Sequence, residues 1–432
     1  MSTRRTVVIS DIHLGPVGPL TLFRDHVALC GLLEQLTAEN GPLELILAGD
    51  TFDFLACPGY EGFDAERATE HLRLMLSSNK EVVSALGRLA ARHKLTILAG
   101  NHDPELLLPR VRDLLAAEIG TTIGTDELLV PSPGERPAVH GRWLAERRVA
   151  VVHGDRWDPH NAIDRERLLQ HGSIELPLGS QMVLEVLAQL QPTRRWIYEL
   201  KPEIPTVLPL LIYLEPQRTW QLLQQKAGLT LQMLGGMLLA RLRAGSLFGP
   251  LNGQPAASTD VATQLADMIA AGLLQEREAD RQMLQAALLS QLRDGNGVAG
   301  TLAEHNGVAR LVLRTWLRLV REAERFGELD SPDSMPESAA SFLSVDWLVA
   351  GHTHGARYHT RTTSLPGYVN TGTWVPIGHL PQGSMREVLD GLDAGLSWPA
   401  EAPRTFAVID EGPLEVWLGE CDRNGMQRRI SP

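Results

Sequence analysis

Leu95-Thr96-Ile97-Leu98-Ala99-Gly100-Asn101-His102-Asp103 decides the fold. A short apolar run with β-branched members stops at a glycine and hands over to three polar side chains, the pattern of a buried strand that ends at the rim of a sheet. The same grammar recurs along the chain. Val7-Val8-Ile9 leads into Asp11-Ile12-His13, Leu45-Ile46-Leu47 into Gly49-Asp50, Val149-Ala150-Val151-Val152 into His153-Gly154-Asp155, and Trp347-Leu348-Val349-Ala350 into Gly351-His352-Thr353-His354. Five strands that each end in such a cluster bring their polar residues to one edge.

The order of elements widens this reading. Residues 6 to about 158 alternate strand and helix: a helical pattern through Phe23 to Leu36 follows the first strand, and another through Glu66 to Arg92 precedes the third. Such alternation predicts an α/β unit whose ligands lie beyond the carboxyl ends of its strands. From about 160 to 335 the texture is Leu-, Gln-, Ala-, Glu- and Arg-rich with helical periodicity, as in Val261 to Leu274, Arg281 to Leu292 and Gly307 to Phe326. Strand texture returns at Trp347 to Ala350, Tyr368 to Asn370, Thr405 to Ile409 and Leu414 to Leu418. The expected organisation is a first core segment at 1–158, a helical insertion or cap at 159–338, and a second core segment at 339–432.

Composition bounds the function. The chain has 432 residues, 44% of them hydrophobic, enough for a large core. A net charge of −12 disfavours a broad nucleic-acid footprint, which needs clustered Lys and Arg. Three cysteines without Cys-x-x-Cys spacing give neither a disulfide framework nor a thiolate zinc site, and fit a reducing cytoplasm. No signal peptide is expected ahead of the first strand, and the most apolar run, Ile204 to Leu214, is short and interrupted by Pro205 and Pro209. The expectation is a cytoplasmic protein with no membrane span.

The chemistry follows from the residue types. Carboxylates, a carboxamide oxygen and neutral imidazoles suit divalent Mn, Fe or Zn. Asp11, His13, Asp50, Asn101, His153, His352 and His354 are seven candidate ligands, too many for one ion and suited to two adjacent ions with Asp50 as a shared carboxylate.

D-x-H, G-D, G-N-H-D, a His before Gly, and G-H-x-H in this order resemble the calcineurin-like metallophosphoesterases. The resemblance covers the α/β part and leaves the insertion unmatched. It implies a four-layer α-β-β-α sandwich with two packed sheets in place of one doubly wound sheet. It also implies one metal held by Asp11, His13 and His354, another by Asn101, His153 and His352, and Asp50 linking them. Two such ions can clamp a phosphoryl group and acidify a bridging water, so that hydroxide attacks without a protein nucleophile. His102 is expected to act as general acid and Asp103 to orient it. The implied activity is hydrolysis of a phosphate ester or pyrophosphate bond. A nuclease or cyclic-nucleotide phosphodiesterase is the alternative within enzymes, and a non-catalytic metal-binding scaffold the alternative outside them.

Substrate choice is expected to lie with the insertion, whose apolar stretches Ile204 to Leu214 and Leu229 to Leu242 read either as the core of a cap or as a groove for an acyl chain. The segments around Asp11 and Asp50 are also similar to the UDP-2,3-diacylglucosamine pyrophosphatases, although that branch has Arg where this chain has His102. The expected partner is a phosphorylated small molecule or a lipid-linked phosphate, with peripheral contact at the inner membrane face as an option. Asp53 and Asp155 read as supports of the site or as caps and turns. His160 and Asn161 read as a loop beside His153, and Asn370 and Thr373 as packing or support. His26, His71, His93, His140, His171 and His305 have no partner motif.

Overall fold

The computed structural model describes residues 4–18, 20–131, 138–158, 160–190, 195–200, 328–378 and 400–431. The helical stretches expected between 201 and 327, including the apolar runs at 204–214 and 229–242, lie outside the described residues.

Two six-stranded mixed sheets form the frame. In the first, β1 (Arg5–Ile9), β2 (Leu43–Ala48) and β3 (Lys94–Leu98) run parallel in the order β1-β2-β3. The second contains β4 (Glu127–Val130), β5 (Val139–Leu144), β6 (Val149–Val151), β7 (Trp347–Ala350), β8 (Ala356–His359) and β9 (Gly367–Thr371), ordered β4-β5-β6-β7-β9-β8. Two-residue strands β10 (Ile377–Gly378) and β11 (Ala400–Glu401) lie outside both sheets. Antiparallel β12 (Thr405–Asp410), β13 (Glu415–Cys421) and β14 (Gln427–Arg429) complete the first sheet along its β1 edge.

The sheets pack face to face. Val8, Ile46, Ala48 and Leu98 of the first share one buried cluster with Val149, Val151, Val349 and Val369 of the second. Helices cover the outer sides. α1 (His26–Ala38) packs on α3 (Lys80–Ala90), which packs on β3, while α2 (Ala68–Ser78) and α4 (Pro109–Ile119) complete this group. On the other side Met335 and Ala339, from the short helix Met335–Ala340, lie against Ala150, Val152, Leu348 and Tyr368. This is the two-sheet α/β sandwich that the resemblance implied, not a single doubly wound sheet. Its central strands are buried on both faces, which is why they read as continuous apolar runs and not as alternation.

One expected helix is two. The periodicity from Glu66 to Arg92 reads as a single element, but Asn79 divides α2 from α3. The Asn79 side chain donates to the carbonyls of Gly15 and Met75, and its Oδ1 meets His26 Nε2 at 2.8 Å. Short polar side chains that bond to backbone in this way compete with helix continuation.

The chain divides into two compact units, residues 1–180, 326–377 and 400–432 forming the first and 181–325 with 378–399 the second. Residues 160–180 and 328–338, placed in the insertion by sequence, fall in the first unit. In the second, Gly378 N–H donates to the Glu199 carbonyl at 2.7 Å. Among the described residues no helix is long and apolar enough to cross a membrane.

The register of the first sheet aligns its strand ends. Ile9 pairs with Leu47 and Leu47 with Ile97, so the three parallel strands terminate together and present Asp11, Asp50 and Asn101 on one edge. In the second sheet Val151 pairs with Val349, which places His153 and the Gly351–His354 turn at the matching ends.

Candidate metal centre

The strand ends turn sharply to aim their side chains inward. Asp11, His13, Asp50, His352 and His354 all adopt left-handed backbone, with φ between 48° and 71°. Non-glycine residues seldom do so, at a cost of roughly 1 kcal/mol or more each, and such strain collects at functional sites. Backbone bonds hold the turns: His13 N–H donates to the Asp50 carbonyl at 2.9 Å, and Gly351 N–H to the His153 carbonyl at 2.8 Å. Gly49 takes φ +86° against the His153 ring, and a Cβ at Gly100 would overlap Asp50 Oδ1. Both glycines are needed for close approach.

Three groups result, all with ligand atoms within 4.8 Å of one another: Asp11, His13 and His354; Asp50, His153 and His352; and His13, Asp50 and His102. In the first, His13 Nε2 lies 3.2 Å from His354 Nε2, and His354 Nε2 lies 3.3 Å from Asp11 Oδ1. Asp11 Oδ2 is already committed, accepting from Ser10 Oγ and from His352 N–H, whereas the buried Oδ1 has no hydrogen bond. In the second, His153 Nδ1–H donates to the Ala48 carbonyl at 3.0 Å, which turns Nε2 toward Asn101 Oδ1 at 3.1 Å and Asp50 Oδ2 at 3.3 Å. Carboxylate, carboxamide and imidazole donors crowded into one buried site are a set that suits a divalent metal.

Asp50 belongs to two groups by geometry. Its Oδ1 accepts His102 N–H at 2.8 Å, while Oδ2 lies 3.3 Å from His153 Nε2 and 3.9 Å from His13 Nε2.

The charges agree with this. Burial alone raises the Asp11 carboxyl, but the nearby His354 ring and the charge of His153 prevail and hold it at about 2. Asp50 is likewise buried, and the imidazoles of His153 and His102 keep it well below the usual carboxylate range. Burial pulls His153 down, yet Asp50 beside it lifts the ring to about 10. The pocket draws positive charge.

His102 stands apart. Its side chain is 19% exposed beside the nearly closed His13 and Asp50, and its ring meets His13 edge-on at 4.6 Å. Asp103 had been expected to steady it, but the geometry gives that position to Asp53. Asp53 Oδ1 lies 3.0 Å from His102 Nδ1, and Oδ2 lies 3.7 Å from His13 Nδ1. Asp103 instead accepts the backbone N–H groups of Asp50, Thr51, Phe52 and Gly100. Its oxygens are consumed in holding the Asp50 turn against the Asn101 turn, while burial and the nearby Asp50 push its carboxyl up to about 7.

Other residues fall into place around the ligands. Asn370 Nδ2 donates to Gly351 O at 2.8 Å and Thr353 Oγ1 at 3.0 Å, fixing the His352–His354 turn, and Thr373 Oγ1 donates to Asp11 O at 2.8 Å. Asp155 accepts both terminal nitrogens of buried Arg165, which also donates to Ala99 O and so ties the His153 turn to the Asn101 turn. Asp53 caps no helix with its side chain. Sequence reasoning missed Asp158, whose Oδ2 lies 3.0 Å from His352 Nε2. His160 N–H and Asn161 Nδ2 bond to the same carboxylate, so the loop after His153 is organised around Asp158.

The profile of the calcineurin-like phosphoesterases matches residues 4–207, the stretch that carries four of the five clusters. Over those residues the chain is similar to the calcineurin-like phosphoesterases, and the likeness supports a phosphoesterase enzyme. No curated protein matches it. Among solved structures, the phosphopantetheinyl hydrolase from Mycobacterium tuberculosis aligns with 86% of this chain and 90% of its own at 13% identity, with a TM-score of 0.24. A likeness that loose carries no weight for fold or substrate.

Proposed function

We propose that the cluster is a two-metal centre for hydrolysis of a phosphate ester or pyrophosphate bond. Asp11, His13 and His354 would hold one divalent ion, Asn101, His153 and His352 the other, and Asp50 Oδ2 would be shared. The observation that carries this reading is the position of Asp50 Oδ2 between His153 Nε2 and His13 Nε2. Mn, Fe and Zn all suit these donors. When bound, such a pair supplies charge neutralisation at the phosphoryl oxygens and a water acidified for attack.

The chain's own residues supply the remainder. Backbone N–H of His102 occupies Asp50 Oδ1 and leaves Oδ2 toward His153 and His13. Asp53 accepts Nδ1–H of His102, which leaves proton exchange with substrate to Nε2. From there His102 can protonate the departing oxygen as general acid. Asp103, expected as a catalytic residue, acts by holding two ligand turns in register.

The finer substrate assignment is a lipid- or nucleotide-linked phosphate, supported by the apolar sequence of 204–214 and 229–242. A cytoplasmic location with peripheral contact at a membrane face suits such a substrate. A panel of aryl phosphate, bis-aryl phosphodiester, nucleotide pyrophosphate and lipid-linked nucleotide with Mn, Zn, Fe and Mg tests it. The expected result is metal-dependent turnover that is strongest on the lipid-linked diphosphate. Turnover confined to water-soluble monoesters would remove the lipid assignment, and the absence of turnover on every substrate would remove the hydrolase reading.

A further inference from the structure

The two ligand groups are unequal in charge. The first holds Asp11 in addition to the shared Asp50, whereas the second has Asp50 alone beside the neutral Asn101 and two imidazoles. A divalent ion in the second group therefore has one fewer carboxylate to neutralise it. One imidazole away stands Asp158, with Oδ2 3.0 Å from His352 Nε2. Asp158 belongs to none of the three ligand groups found among the described residues.

The carboxylate is placed by its own loop. His160 N–H donates to Oδ1 at 2.9 Å and Asn161 Nδ2 to Oδ2 at 2.8 Å, while Asp158 N–H bonds to the Asp155 carbonyl. His160 returns its carbonyl to Gly179 N–H at 2.8 Å, so the loop is anchored away from the ligands. The position of Asp158 thus does not depend on His352.

We infer that Asp158 is a positioning residue for the second ion: by accepting Nε2–H it fixes the His352 tautomer, assigns Nδ1 to the metal, and lends that ring negative charge. A carboxylate behind a ligating imidazole raises the basicity of the ring and orients it, and removing such a partner typically weakens metal binding. His153 has only the neutral Ala48 carbonyl in the equivalent place. The second ion's affinity then depends on a residue that touches neither metal nor substrate. This inference rests on the two-metal reading above.

The test is titration of the chelator-stripped full-length chain with Mn²⁺, read by calorimetry for stoichiometry and affinity and by electron paramagnetic resonance for a spin-coupled pair. Wild type is expected to take two ions and show the coupled signal. In Asp158→Ala, one ion should bind roughly 10- to 100-fold more weakly while the other is unchanged, with the coupled signal replaced by that of an isolated ion. Asp158→Asn, which keeps an acceptor without the charge, should fall between. Asn161→Ala, which removes one of the bonds that place the carboxylate, should weaken the same ion by less than Asp158→Ala does. Affinities for both ions unchanged from wild type in Asp158→Ala would overturn the inference and leave the two-metal reading intact, as would equal weakening of both. A wild-type chain that binds fewer than two ions would overturn the two-metal reading, and the inference with it.

Discussion

Asp53 Oδ1 lies 3.0 Å from Nδ1 of His102, so the most exposed imidazole of the cluster is oriented by a buried carboxylate that follows Asp50 by three positions. Asp53 and Asp50 are separated by only Thr51 and Phe52, whose backbone N–H groups both bond to Asp103 Oδ2.

General acid–base groups contribute about 10²- to 10⁴-fold, so His102→Ala should lower kcat by that order. Asp53→Asn should lower it by roughly tenfold or more, through a mis-set tautomer. Both losses should be largest on alkyl phosphates and smallest on nitrophenyl phosphate, whose leaving group needs no proton. Steady-state kinetics on the two substrates checks this. Equal losses on both would place His102 in binding and not in protonation.

Gly100 lies where Asp50 Oδ1 and the Asp50 amide approach most closely. Gly100→Ala must displace the shared carboxylate, so both ions should weaken together, in contrast with Asp158→Ala. Metal content after gel filtration reads the outcome.

Arg165 is buried with Asp155, and its guanidinium bridges the His153 and Asn101 turns. Arg165→Met leaves the Asp155 carboxylate buried without its cation, a loss of about 3 kcal/mol. Denaturant unfolding should show that loss in full, and restoring it with Asp155→Asn in the same chain should recover part of it.

Glu44 is completely buried on β2 and is met by Thr96 Oγ1, Lys94, Arg142 and Arg4, Arg142 reaching it from the second sheet. Burial raises its carboxyl, but the bond from Thr96 and the Arg142 charge outweigh this and hold it below its ordinary value of 4.5. A lowered folded value means that the contribution is fully present above the unfolded value and is lost as pH falls through the folded one. Glu44→Gln should therefore destabilise the chain near neutrality, with the gap to wild type closing below pH 4.5. Urea unfolding across pH 3–8 measures that gap.

The five strand-end clusters were legible because a buried parallel strand has to be apolar throughout and a ligand has to follow it. Val7 to Ile9, Leu45 to Leu47 and Leu95 to Leu98 announce both at once. What could not be read was which carboxylate serves which imidazole. Asp103 adjoins His102 in sequence, yet the turn at Gly100 directs its oxygens to backbone amides, and the distant Asp53 takes the contact. Asp158 was hidden for a similar reason, since its partner His352 is 194 positions further along. The β4-β5 hairpin escaped notice because its half-exposed residues give a weak periodic signal.

The most direct measurement is the rate of aryl phosphate hydrolysis as Mn²⁺ is added back to the metal-stripped chain, with wild type and Asp50→Ala compared. Activity should appear as the second equivalent binds and should be absent in Asp50→Ala at every metal concentration. Turnover by the stripped chain, or Asp50→Ala activity equal to that of wild type, would contradict a two-metal centre built on Asp50.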